Sequence, residues 1–192
     1  MKRLDLTSNV PLAACLTLAA LAVAAVPAAH GQVFSFPLEV AQTNPPAEIP
    51  DGFSPSGVGT ITLVPETNTI NYTFSWEDLT GPIVAPGFHL HGPAEPGTNA
   101  GVVVDIIGDT PSGIDPVGGN VMAPQPATGS LSGSAILSDD VEGFLLDGLL
   151  YANIHTELNQ PGEIRGHIDA VPEPTTLALL GAAGLGLLRR QA

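Results

Sequence analysis

Every histidine after His30 falls in one of three short runs in which polar and apolar residues alternate. In Gly87-Phe88-His89-Leu90-His91-Gly92-Pro93, a period of two sets His89 and His91 on one face of a strand and Phe88 and Leu90 on the other. Two imidazoles roughly 7 Å apart along a strand can both turn toward one ion. In Tyr151-Ala152-Asn153-Ile154-His155-Thr156, Asn153 and His155 share a face opposite Ala152 and Ile154. In Gly162-Glu163-Ile164-Arg165-Gly166-His167-Ile168, Arg165 and His167 share the face opposite Ile164 and Ile168. Convergence of these faces would give a metal site of His89, His91 and His155, with His167 as a further member. Imidazole suits both copper and zinc, and the Irving–Williams order favours Cu(II). The competing account is that each strand has one solvated face on which His, Asn and Arg are ordinary surface residues; periodicity alone does not choose between the two. Arg165 divides in the same way. It is either a surface salt bridge to one of many carboxylates, worth about 0–1 kcal/mol, or a fixed charge that steers an anion toward a metal.

The elements that would carry these residues read as β. Gly and Pro recur every few residues, and the runs between them alternate or are β-branched: Val33 to Val40, Gly59 to Val64, Thr69 to Trp76, Gly101 to Ile107, Gly129 to Leu137, Tyr151 to Thr156 and Glu163 to Ile168. The expected fold is all-β, an antiparallel, Greek-key-like β-sandwich of about seven to eight strands. Pro65-Glu66-Thr67-Asn68 predicts a hairpin turn, after which Ile70, Tyr72, Phe74 and Trp76 share one face. One short helix is expected where Asp139 and Glu142 have capping-box spacing, Val141, Phe144 and Leu145 form a stripe, and Gly148 can end it. Pro45-Pro46, Pro50 to Pro55 and Pro111 to Pro126 read as irregular loops.

Both ends of the chain read as signals rather than fold. Met1-Lys2-Arg3, the Ala- and Leu-rich run Val10 to Val26, and Ala29-His30-Gly31 make residues 1–31 a signal peptide, removed by signal peptidase. Leu12-Ala13-Ala14-Cys15 also matches a lipoprotein box, which would make Cys15 a lipidated N-terminus; both versions export the protein. Residues 171–192 hold Pro172-Glu173-Pro174, an apolar run from Thr175 to Leu188, and Arg189-Arg190. Fourteen apolar residues span about 21 Å as a helix, short of a bilayer core of roughly 30 Å. The tail can therefore contact the inner membrane transiently, with its arginines on the cytoplasmic side.

Residues 32–170 remain as one domain of 139 residues. This span holds 17 of the 19 acidic residues and a single cation, Arg165, for a formal charge of −16. Nucleic acid and anionic lipid are excluded as partners by such a surface. The only cysteine lies in the leader, so packing must stabilise the domain without a disulfide. No catalytic residue is assigned, since there is no Gly-x-Ser-x-Gly elbow, phosphate-binding glycine loop or His-Glu-x-x-His helix.

The tail resembles the PEP-CTERM sorting signal of Gram-negative bacteria. That resemblance implies processing by an exosortase near Pro172-Glu173-Pro174 and a destination at the cell surface or in the extracellular matrix. From Val33 to Ile168 the chain resembles the CHRD domain, carried by His89-Leu90-His91-Gly92-Pro93-Ala94, Asn153-Ile154-His155-Thr156 and Pro161-Gly162-Glu163-Ile164-Arg165-Gly166. Where that family has a Gly-Ala-x-Glu-Val-Pro-Pro-like stretch, this chain has Val40-Ala41-Gln42-Thr43-Asn44-Pro45-Pro46, without the glutamate. The resemblance implies an exported module with a non-catalytic binding or structural role, toward extracellular polysaccharide or a matrix protein. Gly87-Phe88-His89-Leu90-His91 is also similar to the copper-ligand strand of copper-zinc superoxide dismutases, where a later histidine and a still later arginine complete the site. His155 and Arg165 occur in that order, but no histidine lies between His91 and His155 to bridge two metals. The alternative function is thus a histidine-based copper or zinc protein with superoxide dismutase-like chemistry.

Overall fold

The computed structural model describes residues 31–108, 114–119 and 121–169. The leader with Cys15, residues 109–113 and the sorting tail with Pro172, Glu173, Pro174, Arg189 and Arg190 lie outside the described residues. Eight strands form where β-branched and aromatic residues alternate with small polar ones: β1 (Gln32–Glu39), β2 (Ser56–Val64), β3 (Thr69–Glu77), β4 (Ile83–His91), β5 (Val102–Ile107), β6 (Gly129–Ile136), β7 (Tyr151–Thr156) and β8 (Ile164–His167). They make one antiparallel sheet in the order β5-β4-β7-β8-β1-β2-β3-β6.

This sheet bends back on itself. Phe74 of β3 meets Phe88 of β4 edge-on with centroids 4.6 Å apart, and Trp76 meets the same ring at 6.5 Å. β3 and β4 are not neighbours in the sheet, so these contacts cross the interior between the half β5-β4-β7-β8 and the half β1-β2-β3-β6. The halves join at a narrow seam, where the single residue pair Glu39 and Arg165 links β1 to β8. At the other side, residues from the β5–β6 connection reach both outer strands: Ile114 pairs with Val104, Val121 with Ile107, and Pro116 with Ala135. Sequence punctuation marks this stretch as irregular, yet it nearly closes the sheet into a barrel. Phe34, Leu38, Ile61, Ile70, Phe74, Phe88, Leu90, Ile154 and Ile164 fill the interior without solvent exposure. The face of β3 expected to point inward does so, with Ile70, Tyr72, Phe74 and Trp76 all buried.

The hairpin turn and the helix form for local reasons. Pro65–Thr67 make a single 3-10 turn, and Asn68 takes the left-handed conformation (φ 49°) that lets β3 start back along β2. The helix α1 (Asp139–Leu146) begins one residue earlier than the Asp139 cap predicts. Ser138 is the N-cap, its hydroxyl accepting from the Val141 amide, which leaves Asp139, Asp140 and Glu142 in the first turn beside the positive end of the helix dipole. Val141 and Leu145 pin the helix to the core. Among the described residues no helix is long and apolar enough to cross a membrane.

Candidate metal centre

β4 enters the site through a constrained bend. Gly87 has φ +116°, and a Cβ there would lie 1.6 Å from the Ile107 carbonyl oxygen, so only glycine lets β4 press this close to β5. Beyond the bend, alternation resumes with Phe88 and Leu90 in the core and His89 and His91 on the opposite face. β7 lies beside β4 with Asn153 opposite His89 and Tyr151 opposite His91. Pairing of β7 with β8 then sets Arg165 opposite Asn153. The three polar faces predicted from periodicity are therefore adjacent.

They are also covered. His89, His91, Asn153, His155 and Arg165 are each less than a tenth exposed, which removes the account of them as surface residues. One ring nitrogen from each of His89, His91 and His155 lies within 4.8 Å of the others. An ion bound at about 2.0–2.1 Å from each nitrogen would draw them to roughly 3.4 Å apart. His167 takes a separate position. Its Nε2 bonds the Gly148 carbonyl oxygen at 2.6 Å and lies 4.0 Å from Asp169.

The ring orientations are fixed by the backbone. His91 Nδ1 is 3.0 Å from the Ala100 carbonyl oxygen, and His155 Nδ1 is 2.6 Å from that of Gln160. A carbonyl can only accept, so each Nδ1 carries the proton and each Nε2 keeps a lone pair. His91 Nε2 is buried without a protein partner, and His155 Nε2 has only a long 3.4 Å contact from the Asn153 amide. His89 is turned the other way, with Nε2 3.5 Å from the buried Asp105 carboxylate and Nδ1 making no hydrogen bond. In His91 and His155, holding the far nitrogen while the near one faces the other rings is the support that ligating histidines need.

Protonation follows from burial. Desolvation, reinforced by the neighbouring His155 and His91 rings, lowers the His89 pKa to about 4. Desolvation lowers that of His91 to about 4 against the opposing Ala100 carbonyl, with His155 and Arg165 adding to the drop. His155 is lowered by burial as well. The three rings are consequently neutral at pH 7, the form that binds a cation.

Among the described residues, Arg165 forms no carboxylate salt bridge of the kind that the acidic composition suggests. Its Nη1 donates to Asn99 Oδ1 at 3.0 Å, its Nη2 donates to the Thr98 carbonyl at 2.6 Å, and its guanidinium carbon sits 3.5 Å from the Tyr151 ring centroid. The β8 position of Arg165 faces inward over β7, where Tyr151 offers a π face and no carboxylate competes. Tyr151 also stacks on His91, with centroids 4.9 Å apart and planes 4° from parallel. Period two from Asn153 was the available sign that Tyr151 joins this face. Asp105, a lone acid in the apolar run Val102 to Ile107, was a second such sign. Asn99 and the Asn44-Pro45 wall reach the site from distant loops through the Asn99 Nδ2 bond to the Asn44 carbonyl, and local spacing carries no trace of that. With His91, His155 and Arg165 these groups enclose a cavity of about 230 Å³.

Residues 34–168 match the CHRD domain family, and residues 170–191 match the PEP-CTERM protein-sorting motif. No curated protein and no solved structure matches the chain.

Proposed function

The chain belongs to the CHRD domain family and ends in a sorting motif that implies export, exosortase processing and a cell-surface destination, and from that premise we propose that the domain is a surface-displayed binding module whose binding element is a three-histidine copper or zinc centre. His89, His91 and His155 would be the ligands. The observation that carries this is the meeting of three buried, neutral imidazoles, two of them with Nδ1 tied to a backbone carbonyl, within 4.8 Å. Burying three imidazoles, two of them with an unpartnered nitrogen, is costly for packing alone, and a cation offsets that cost. Bound metal would leave at least one coordination position facing the cavity, because the three rings approach from β4 and β7 only. The role assigned to the displayed domain is binding at the surface or in the matrix, toward a polysaccharide or protein neighbour.

The test is elemental analysis of the exported protein beside a His89→Ala, His91→Ala, His155→Ala variant. About one copper or zinc per chain in the wild type, absent from the variant, is expected. Equal metal in both proteins, or none in either after loading with copper and dialysis, would overturn the assignment.

A further inference from the structure

We infer that the cavity beside the histidines is a small-anion site in which Arg165 supplies the attracting charge and the metal supplies the second contact. This deepens the proposed metal centre and rests on it. Arg165 is 2% exposed, in a domain whose other ionisable surface is overwhelmingly acidic. Its three contacts, Asn99 Oδ1, the Thr98 carbonyl and the Tyr151 ring, are all neutral groups. Among the described residues the close contacts between a basic group and a carboxylate are those of the His89 ring with Asp105 and the His167 ring with Asp169, so no carboxylate lies within 4.0 Å of the guanidinium. A buried cation without a counter-charge is unfavourable, and the acids to provide one are plentiful in this chain. They are kept out of this place: no Asp or Glu lines the cavity, although Arg165, His91 and His155 do.

A divalent ion on three neutral imidazoles would add two positive charges to the one already buried, against two buried carboxylates, Asp105 behind His89 and Glu163 beside Thr156. A mobile monoanion would balance the charge that is left. At about 230 Å³ the cavity has room for formate, bicarbonate or azide with some hydration. The ligand class is therefore a small monoanion that reaches the open metal position from the Arg165 side.

Sodium azide titrated into the copper-loaded exported protein is the probe, followed by its copper charge-transfer absorption and by electron paramagnetic resonance. Wild type is expected to bind azide. Arg165→Gln should weaken that binding by about tenfold or more with copper content unchanged. Asn99→Asp places a carboxylate where Oδ1 already accepts from Nη1, at an exposed position, and should weaken azide similarly and more than Asn99→Ala, which loses the same Nδ2 bond to the Asn44 carbonyl without adding charge; this pair carries the comparison alone if Arg165→Gln fails to fold. Azide affinity unchanged in Asn99→Asp, or no azide binding by a copper-loaded wild type, would overturn the anion site and leave the metal centre standing. A wild type that takes up no copper would overturn both.

Discussion

Glu163 and Arg165 are separated by one residue, and both are buried charges treated in opposite ways. Glu163 accepts from the Thr80 amide, the Thr80 and Thr156 hydroxyls and the Asn159 amide, so its carboxylate ties the β3–β4 connection to the loop after β7. That loop carries Gln160, whose carbonyl orients His155. Glu163→Gln turns one acceptor oxygen into a donor facing other donors and should cost about 2–4 kcal/mol, read as a lowered urea midpoint; an unchanged midpoint would contradict it. Titration of the histidines gives a second expectation, for the metal-free protein. His91 has a pKa near 6.5 when unfolded and about 4 when folded, because burial, and to a lesser degree His155 and Arg165, disfavour its charged form. Between those values the unfolded chain binds more protons, so stability is present above pH 6.5 and is lost as pH falls toward 4. The loss is on the order of 1–3 kcal/mol. Melts of the triple alanine variant should lack this component, and parallel acid profiles for the two proteins would argue against it. Histidine spacing made the three candidate ligands legible, whereas Glu163 was hidden among 17 acids that look alike without their partners.

At the scale of elements, β3 and β7 were readable almost to the residue, β3 because it alternates cleanly between a large apolar and a small or polar side chain, and β7 because Asn153 and His155 alternate with Ala152 and Ile154. β4 was less so. Its first half, Ile83 to Pro86, has no period, and the strand survives there through a register shift against β7 between Ile83 and Phe88 rather than through propensity. The closure segment around Ile114 to Val121 was invisible for a related reason, since its bridges are single residue pairs held by long-range geometry. Two glycines then set the site's precision. Gly87→Ala would force β4 away from the Ile107 carbonyl, two residues before His89. A loss of several kcal/mol and of bound copper is expected, measured by thermal melting and elemental analysis; a variant that melts and binds like wild type would show the bend to be dispensable. Gly162, at φ +135°, lets the loop after β7 lie against the Asn153 amide, where a Cβ would come within 2.2 Å of Oδ1.

For the whole molecule, the core is complete within residues 34–168, the span that matches the CHRD family, and no described residue outside that span belongs to it. Deleting Pro172 to Ala192 should therefore leave the circular dichroism and melting of the domain unchanged while abolishing surface retention. Fractionation that finds the truncated protein still on the cell surface would contradict this. The formal charge of −16 in residues 32–170 concerns solubility outside the cell and says little about the centre, whose walls hold the one cation of that span. The strand order has its own consequence. His89 and His91 lie on β4 and His155 on β7, neighbours in the sheet with β5, β6 and α1 between them in the chain. No early fragment of the polypeptide can assemble the three ligands, because β7 must dock before His155 arrives. A chain exported before it folds would thus pass through the cytoplasm without a competent site. The ion it acquires would be chosen by the compartment in which its last strands come to rest, and not by the metal stocks of the cell that made it.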